Sequence, residues 1–140
     1  MQQLTAKNLK QLLDDPENNS GTIDGVLYDR NTIQPSVVHF GVGNFHRCHQ
    51  AVYMDRLLRR GSDEWGIIGV SMRSTSIRDA LKPQDFLYTE VTLGGQPRFR
   101  IIGSILDILV GPEDPSAVAN LVGETSTKLV TTTITEKGYC

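Results

Sequence analysis

The sequence predicts an α/β fold in which helices cover both faces of a doubly wound, mostly parallel β-sheet. One observation is an apolar run, residues 37–40, that passes through two glycines into a helical pattern. A second apolar run, residues 65–71, follows at the spacing of a βαβ unit and is typical of a strand buried on both faces. A β-branched run at residues 128–135 adds a later strand.

The first 35 residues are predicted to form an arm and a linker that precede the domain. Within them, residues 5–13 have a helical pattern with three leucines on one face. The polar residues 14–21 then form a linker. Residues 36–140 are predicted to form the domain itself, with Pro35 immediately before its first strand.

A helix is predicted over residues 45–59, directly after the glycine turn, and Gly61 ends it. Its apolar positions are expected to be buried and its basic positions to face water. The buried positions are Val52, Leu57 and Leu58, and the solvent-facing ones are Arg56, Arg59 and Arg60.

The middle of the chain predicts a β-hairpin inserted into the sheet. A short helix over residues 73–81 precedes residues 86–93, which alternate like a strand. The Gly-Gly pair at 94–95 then turns this strand back into residues 98–103. A further strand and a helix follow at residues 105–110 and 115–121.

Composition excludes several classes of partner. The formal net charge of the 140 residues is -2, and no block of Lys and Arg stands apart, so neither a nucleic acid nor a membrane is an expected partner. No apolar segment resembles a signal peptide or is long enough to span a bilayer, so a cytoplasmic protein is expected. The two cysteines, Cys48 and Cys140, lack a CxxC spacing and predict neither a disulfide nor a metal site.

The glycine turn indicates a nucleotide site of the Rossmann type. A strand that ends in Gly41-Val42-Gly43 can bring backbone N–H groups up to a pyrophosphate at the start of the next helix. His46 occupies the position of the third glycine in the usual fingerprint. The GxG alone is weak evidence, and the two flanking strands strengthen it. The alternative is a turn whose glycines serve backbone geometry alone.

Basic residues follow the turn at a place where a helix disfavours positive charge. His46 and Arg47 lie in the first helical turn, at the positive end of the helix dipole. A bound anion would reverse this unfavourable interaction, so contact with a phosphate is expected. The alternative is that Arg47 reaches solvent or pairs with an acid such as Glu136.

Cofactor selectivity is expected to depend on the end of the second strand. An acidic residue there holds the adenosine ribose of NAD, whereas an arginine accommodates the 2′-phosphate of NADP. Arg73 and Ser74 occupy this position and favour NADP, although Asp79 could fold back towards the ribose. The alternative for Arg73 is a solvated loop residue.

Two charged residues follow the last predicted strand. Strands one and four of a doubly wound sheet flank the crevice where cofactor meets substrate. Glu136 and Lys137 would border the nicotinamide there as orienting or proton-handling groups. The alternative is a solvated charge pair in a terminal turn.

Six motifs, in order along most of the chain, resemble those of one enzyme family. They are YDR, GVGNFHRCHQ, WGIIGV, QDFLYT, IGS and TEKGY, at residues 28–30, 41–50, 65–70, 84–89, 102–104 and 135–139. Together they resemble the mannitol dehydrogenase family of long-chain polyol and hexuronate dehydrogenases, which includes mannitol 2-dehydrogenase and fructuronate reductase. That family places FHRxHQ after its GxG, which accounts for the missing third glycine.

The resemblance implies a Rossmann-type domain that binds NAD or NADP. In family members a mostly helical substrate domain follows and carries the catalytic lysine; that domain is absent from these 140 residues. The implied function is the cofactor-binding portion of an oxidoreductase acting on the CH–OH group of polyols or hexuronates, of the mannitol/fructose or mannonate/fructuronate type. The chain alone is expected to be inactive. The alternatives are an inactive nucleotide-binding or interaction module, or a gene fragment.

No catalytic residue is therefore assigned within the chain, apart from possible supporting roles for Glu136 and Lys137, and no metal site is expected. The predicted cofactor-binding residues are Phe40, Gly41, Val42, Gly43, Asn44, Phe45, His46, Arg47, Arg73, Ser74, Thr133 and Glu136.

Overall fold

A four-stranded parallel sheet forms the centre of the computed structural model, which describes residues 4–15 and 23–134. The strands are β1 (Ile23–Asp24), β2 (Pro35–Phe40), β3 (Gly66–Ser71), β4 (Tyr88–Thr92), β5 (Arg98–Ile102), β6 (Ile105–Val110) and β7 (Leu129–Thr132). The helices are α1 (Leu9–Asp14), α2 (Asn44–Cys48), α3 (Gln50–Leu58), α4 (Ser76–Leu81) and α5 (Pro115–Gly123). Short 3-10 turns lie at Arg30–Thr32 and Lys82–Gln84.

The central sheet has the strand order β6-β3-β2-β7, and every neighbouring pair is parallel. Counted along the chain within this sheet, the order is 3-2-1-4, which is that of a doubly wound nucleotide-binding fold. In the register, Val38 lies opposite Ile68 on one side and Val130 on the other. The predicted α/β class with a mostly parallel sheet is confirmed.

Both faces of the sheet are covered, as the apolar runs predict. Successive residues of a strand point to opposite faces. Val37 belongs to a core cluster that includes Val52 of α3, whereas its neighbour Val38 packs with Val118 of α5. All the side chains of β2 from Ser36 to His39 are buried, so the strand requires a run without alternation.

The predicted hairpin is present, and it belongs to a separate small sheet. Strands β4 and β5 pair antiparallel around the Gly-Gly turn, with Tyr88 opposite Ile102. Strand β1, which lies in the predicted arm, pairs parallel with β5 and joins the arm to the hairpin. A two-residue strand carries no periodicity, so the sequence pattern does not reveal it.

The single helix predicted over residues 45–59 is wrong, because the chain breaks into α2 and α3 at His49. His49 has φ -125° and ψ -84°, outside the helical region. The Tyr88 hydroxyl donates to the carbonyl of Arg47 at 2.7 Å, just before the break. A side chain 41 residues away therefore competes for a helical carbonyl, which local periodicity does not show.

The predicted solvent exposure of Arg59 is also wrong. Its side chain is 11% exposed, and Nε donates to Oδ2 of the buried Asp55 at 2.6 Å. Its terminal nitrogens donate to the Asp24 carboxylate and to the Gly25 carbonyl. The arm thus supplies partners that draw Arg59 inward, whereas Arg56 and Arg60 are exposed as expected.

The N-terminal helix is shorter than predicted. The sequence predicts a helix over residues 5–13, whereas α1 covers Leu9–Asp14. Thr5 and Asn8 form a local turn before it, in which the Thr5 backbone N–H and hydroxyl both donate to Asn8 Oδ1. This turn takes the place of the first predicted helical residues. None of the helices described is long and apolar enough to cross a membrane.

Candidate functional site

A cleft of about 470 Å³ opens at the carboxyl ends of β2, β3 and β7. In doubly wound sheets ligands bind at this end, where the strand order reverses between the first and fourth strands, here β2 and β7. The lining residues are Phe40, Gly41, Val42, Gly43, Ser71, Met72, Arg73, Ile77, Thr132, Thr133 and Ile134.

The two glycines of the turn have different roles. Gly41 has φ +98°, which side chains rarely adopt, and a Cβ there would lie 3.4 Å from the Thr133 backbone oxygen. Backbone geometry therefore explains Gly41. At Gly43 the φ is -82°, and the nearest atom to an added Cβ is the Gly41 oxygen at 4.0 Å. Geometry does not explain Gly43, whose missing side chain leaves open space in the cleft.

The turn is seated on the sheet by a third glycine that sequence reasoning missed. Val42 is buried over Gly69 of β3, where an added Cβ would lie 2.5 Å from Val42 Cγ2. A glycine inside an apolar strand often marks such a close approach, and this was the available signal. The N–H of Gly41 also donates to the Val70 carbonyl at 2.9 Å and ties the turn to β3.

Arg47 braces the turn from the first helical segment. Its guanidinium donates to the Val42 carbonyl at 2.8 Å and to the Asn44 side-chain oxygen. Arg47 thus joins the turn to the start of α2. The N–H groups of this first helical turn have no acceptor within the helix. Phe45 is 65% exposed and its ring stacks on His49.

His46 points away from the cleft. Its imidazole is 1% exposed and stacks on His39 with ring centroids 3.6 Å apart. Nδ1 lies 3.1 Å from Gln50 Oε1, and the buried Nε2 has no hydrogen-bond partner in the described structure. The third glycine of the usual fingerprint serves close helix–sheet packing. Here the stacked imidazole fills that space, so a contact of His46 with a cofactor would have to come from its backbone.

His39, which is not among the predicted site residues, connects the glycine turn to β7. Nδ1 lies 2.8 Å from Thr131 Oγ1, and Nε2 lies 3.2 Å from the Gly41 oxygen and 3.1 Å from Thr133 Oγ1. Thr131 in turn donates to Gln50 at 3.1 Å. This network fixes the Thr133 side chain at the cleft. A histidine within an apolar strand was the signal available.

The buried histidine pair is expected to make the fold sensitive to acid. Burial and the neighbouring His39 lower the pKa of His46 from 6.5 to about 3. Between these values the unfolded chain binds a proton that the folded chain does not, so the free energy of unfolding falls as pH falls below about 6.5. We expect a loss of about 2 kcal/mol between pH 7 and 5 from this group.

Urea unfolding of the wild type and of His46→Gln at pH 7 and pH 5 checks this effect. The variant lacks the imidazole, so its loss between the two pH values should be smaller than that of the wild type. Groups distant from the histidine pair that titrate in both proteins cancel in the comparison. An equal pH dependence in the two proteins would contradict the assignment.

The end of β3 places one basic side chain at the cleft. Arg73 is exposed and lines it, whereas Asp79 lies on α4 and pairs with Arg78 at 3.0 Å. Ser74 is exposed; its carbonyl accepts the Ser71 hydroxyl at 2.6 Å. Among the described lining residues Arg73 is the charged one, and Asp79 does not fold back into the cleft.

Thr133 and three apolar residues complete the lining of the cleft, whereas two of the predicted site residues lie outside the described chain. Thr133 lines the cleft, and its N–H donates to the Phe40 carbonyl at 2.9 Å. Met72, Ile77 and Ile134 form apolar walls that sequence reasoning missed, because apolar residues beside strand ends carry no distinctive pattern. Glu136 and Lys137 lie outside the described residues. Within the described ranges, no cluster of three or more His, Cys, Asp or Glu could hold a metal ion.

Comparison with known proteins independently supports a Rossmann-type cofactor domain. The family model described as the mannitol dehydrogenase Rossmann domain matches residues 35–139. A polyol:NADP oxidoreductase of Gluconobacter oxydans is 38% identical over 97% of this chain and 28% of its own length. A mannitol 2-dehydrogenase of Pyrenophora tritici-repentis is also 38% identical, over 97% of this chain and 23% of its own length.

Two solved structures share the fold. Pseudomonas fluorescens mannitol 2-dehydrogenase, in a ternary complex with NAD and D-mannitol, has a TM-score of 0.88 and 36% identity over 99% of this chain. A substrate-free D-sorbitol dehydrogenase has a TM-score of 0.82 and 34% identity over 97% of this chain. The chain spans 28% of each of these two proteins. By its strand order, its glycine turn and these matches, the chain belongs to the mannitol dehydrogenase family, of which it carries the Rossmann domain.

Proposed function

We propose that the chain binds NAD or NADP in the cleft at the ends of β2, β3 and β7. It would form the cofactor-binding portion of an oxidoreductase that acts on the CH–OH group of a polyol or hexuronate. The observation that carries the proposal is the open space above Gly43, which its φ of -82° does not require. Known relatives of this chain, a polyol:NADP oxidoreductase and a mannitol 2-dehydrogenase, support both the cofactor and the substrate class.

Three parts of the proposed cofactor would contact three different sets of cleft residues. The pyrophosphate would lie against the Gly41–Gly43 turn and the first N–H groups of α2, where backbone donors favour an anion. The adenosine ribose would face Arg73 and Ser74 after β3. The nicotinamide would lie towards β7 and Thr133, followed by Glu136 and Lys137 as proposed supporting groups.

The described residues supply binding and orientation in this proposal. When bound, the nicotinamide supplies the hydride acceptor or donor. Phe40, Met72 and Ile134 would exclude water from the cleft walls, and the His39 network would hold Thr133 in place. We propose no general base among the described residues; the base would come from a part of the enzyme that these 140 residues do not include.

Titration of NADH and NADPH into the purified chain, followed by nicotinamide fluorescence, tests the proposal. We expect saturable binding of at least one of the two cofactors. We expect no oxidation of the bound NADH or NADPH when fructose or fructuronate is added. The absence of binding of both at millimolar concentrations would contradict the cofactor proposal. Turnover by the chain alone would contradict the placement of the base outside it.

Arg73 is expected to favour NADPH over NADH, because a guanidinium can pair with the 2′-phosphate. We expect Arg73→Asp to lower the affinity for NADPH about tenfold or more relative to NADH, a change of about 1.4 kcal/mol. Arg98→Asp makes the same charge change on the exposed hairpin strand β5, outside the cleft. An equal change in the two affinities of Arg73→Asp, or the same selectivity shift in Arg98→Asp, would refute the role of Arg73.

A further inference from the structure

Three side-chain hydroxyls from distant segments bond to the helix pair that follows the glycine turn. Tyr28, Tyr88 and Ser104 belong to three of the sequence motifs, and none of them lines the cleft. Their acceptors are spaced four residues apart along α2 and α3. Tyr88 donates to the Arg47 carbonyl at 2.7 Å, Ser104 to the Ala51 carbonyl at 2.7 Å, and Tyr28 to Asp55 Oδ1 at 2.5 Å.

The break at His49 separates these three bonds into two groups. Ser104 and Tyr28 hold α3, which follows the break along the chain and packs on the sheet. Tyr88 holds α2, the five-residue segment that directly follows Gly43. Of the three hydroxyls, that of Tyr88 alone acts on the segment that carries the first N–H groups after the turn.

Arg47 joins the Tyr88 bond to the turn itself. Its carbonyl accepts the Tyr88 hydroxyl, while its guanidinium donates to the Val42 carbonyl at 2.8 Å and to Asn44. A shift of the Arg47 backbone would therefore move a donor that holds the middle of the glycine turn. The Tyr88 hydroxyl and the turn are connected through a single residue.

The root of the hairpin fixes Tyr88 in turn. Tyr88 is buried in the main core cluster and lies opposite Ile102 in the hairpin. The two residues before Leu87, Asp85 and Phe86, have φ of +52° and +59°, a conformation in which a bulky residue is strained. A tyrosine hydroxyl is protonated at neutral pH, and burial raises the pKa of Tyr88 further, so the phenol is a donor there.

We propose that Tyr88 is a positioning residue that fixes α2, through Arg47, in the geometry that the glycine turn needs to receive a pyrophosphate. The part of the inference that concerns the ligand rests on the proposed nucleotide function. The part that concerns α2 does not. The hairpin thus has a role in the site although it contributes no lining residue.

Tyr88→Phe removes the hydroxyl and keeps the buried ring, and Tyr28→Phe is the matched control on α3. In the nucleotide-free protein we expect amide hydrogen exchange of residues 44–48 to become about three- to tenfold faster in Tyr88→Phe, the value of one net hydrogen bond. Exchange in β3 should not change. Tyr28→Phe should leave residues 44–48 unchanged and accelerate exchange in α3.

The affinity for ADP and NADH provides the second measurement. We expect Tyr88→Phe to bind both about three- to tenfold more weakly, and Tyr28→Phe to bind within about twofold of the wild type. Because Tyr88 acts through Arg47, the losses in Tyr88→Phe and Arg47→Lys should add up to more than the loss in the double variant. If Tyr88→Phe is partly unfolded, Arg47→Lys alone tests the brace, and an unchanged affinity for both ligands in Arg47→Lys would refute it.

The outcomes separate the two proposals. If the wild type binds neither ligand, the proposed function fails, and the exchange rates of residues 44–48 still decide the role of Tyr88. If the wild type binds but Tyr88→Phe shows unchanged exchange at residues 44–48, the positioning role is refuted. Equal weakening of nucleotide binding by Tyr88→Phe and Tyr28→Phe would refute it as well.

Discussion

Replacement of Asp55 by alanine is expected to lower the free energy of unfolding by about 3–5 kcal/mol, because it removes the buried acceptor of the largely buried Arg59 and of two further donors. The Asp55 carboxylate is 0% exposed. It accepts the Tyr28 hydroxyl at 2.5 Å, the Gly103 N–H at 3.1 Å and Arg59 Nε at 2.6 Å. Three donors from three segments lose their acceptor together, and the arm loses the bond of Tyr28 to α3.

Urea unfolding monitored by circular dichroism measures this loss. Asp24→Ala is the matched control, because Asp24 also pairs with Arg59, at 2.9 Å, but is 46% exposed. An exposed pair contributes about 0–1 kcal/mol, so the control should change stability little. If Asp55→Ala cost no more than Asp24→Ala, the buried carboxylate would not be the link between arm and helix.

Gly43→Val is expected to abolish nucleotide binding while the protein stays folded. An added Cβ at Gly43 meets no atom closer than 4.0 Å, and its φ of -82° suits any residue. Because Gly43 is the N-cap of α2, where valine is less favourable than glycine, the free energy of unfolding should fall by about 0.5–1 kcal/mol. The new side chain would fill the space proposed for the pyrophosphate, so we expect the Kd for NADH and NADPH to rise by about 100-fold or more, about 2.7 kcal/mol.

Gly41→Val is the informative comparison for that experiment. Its φ of +98° and its contact with Thr133 predict strain, so this variant should lose about 1–2 kcal/mol of stability as well as binding. Thermal unfolding and nucleotide titration of both variants separate the two roles. Nucleotide affinity in Gly43→Val equal to that of the wild type would place the ligand elsewhere.

The parts of this fold that the sequence predicts are those determined by local pattern. Strands β2 and β3 and the turn between β2 and α2 follow from apolar runs and two glycines within about 35 residues. The break at His49 and the burial of Arg59 do not follow, because Tyr88 and Asp24 are distant partners in the sequence. Periodicity describes one segment at a time and contains no information about such contacts.

The candidate site also contains residues that the sequence predicts and residues that it does not predict. Phe40 to Gly43, Arg73 and Thr133 line the cleft, and each lies in or soon after a predicted strand. His46 was chosen for its charge, which burial removes by lowering its pKa to about 3. Met72 and Ile77 line the cleft without any chemical signature in the sequence, since their role depends on the shape of the surface.

Strand β7 lies both beside the cleft and at an edge of the central sheet. It is an edge strand of the central sheet in the described chain, with Val130 and Ile134 among the exposed apolar residues. An edge of this kind offers unpaired N–H and C=O groups to any further strand. The same segment forms one wall of the cleft through Thr132, Thr133 and Ile134. If the cleft holds a nucleotide as proposed, any segment that pairs with this edge and moves that wall would change nucleotide affinity, and bound nucleotide would change the strength of that pairing by the same factor.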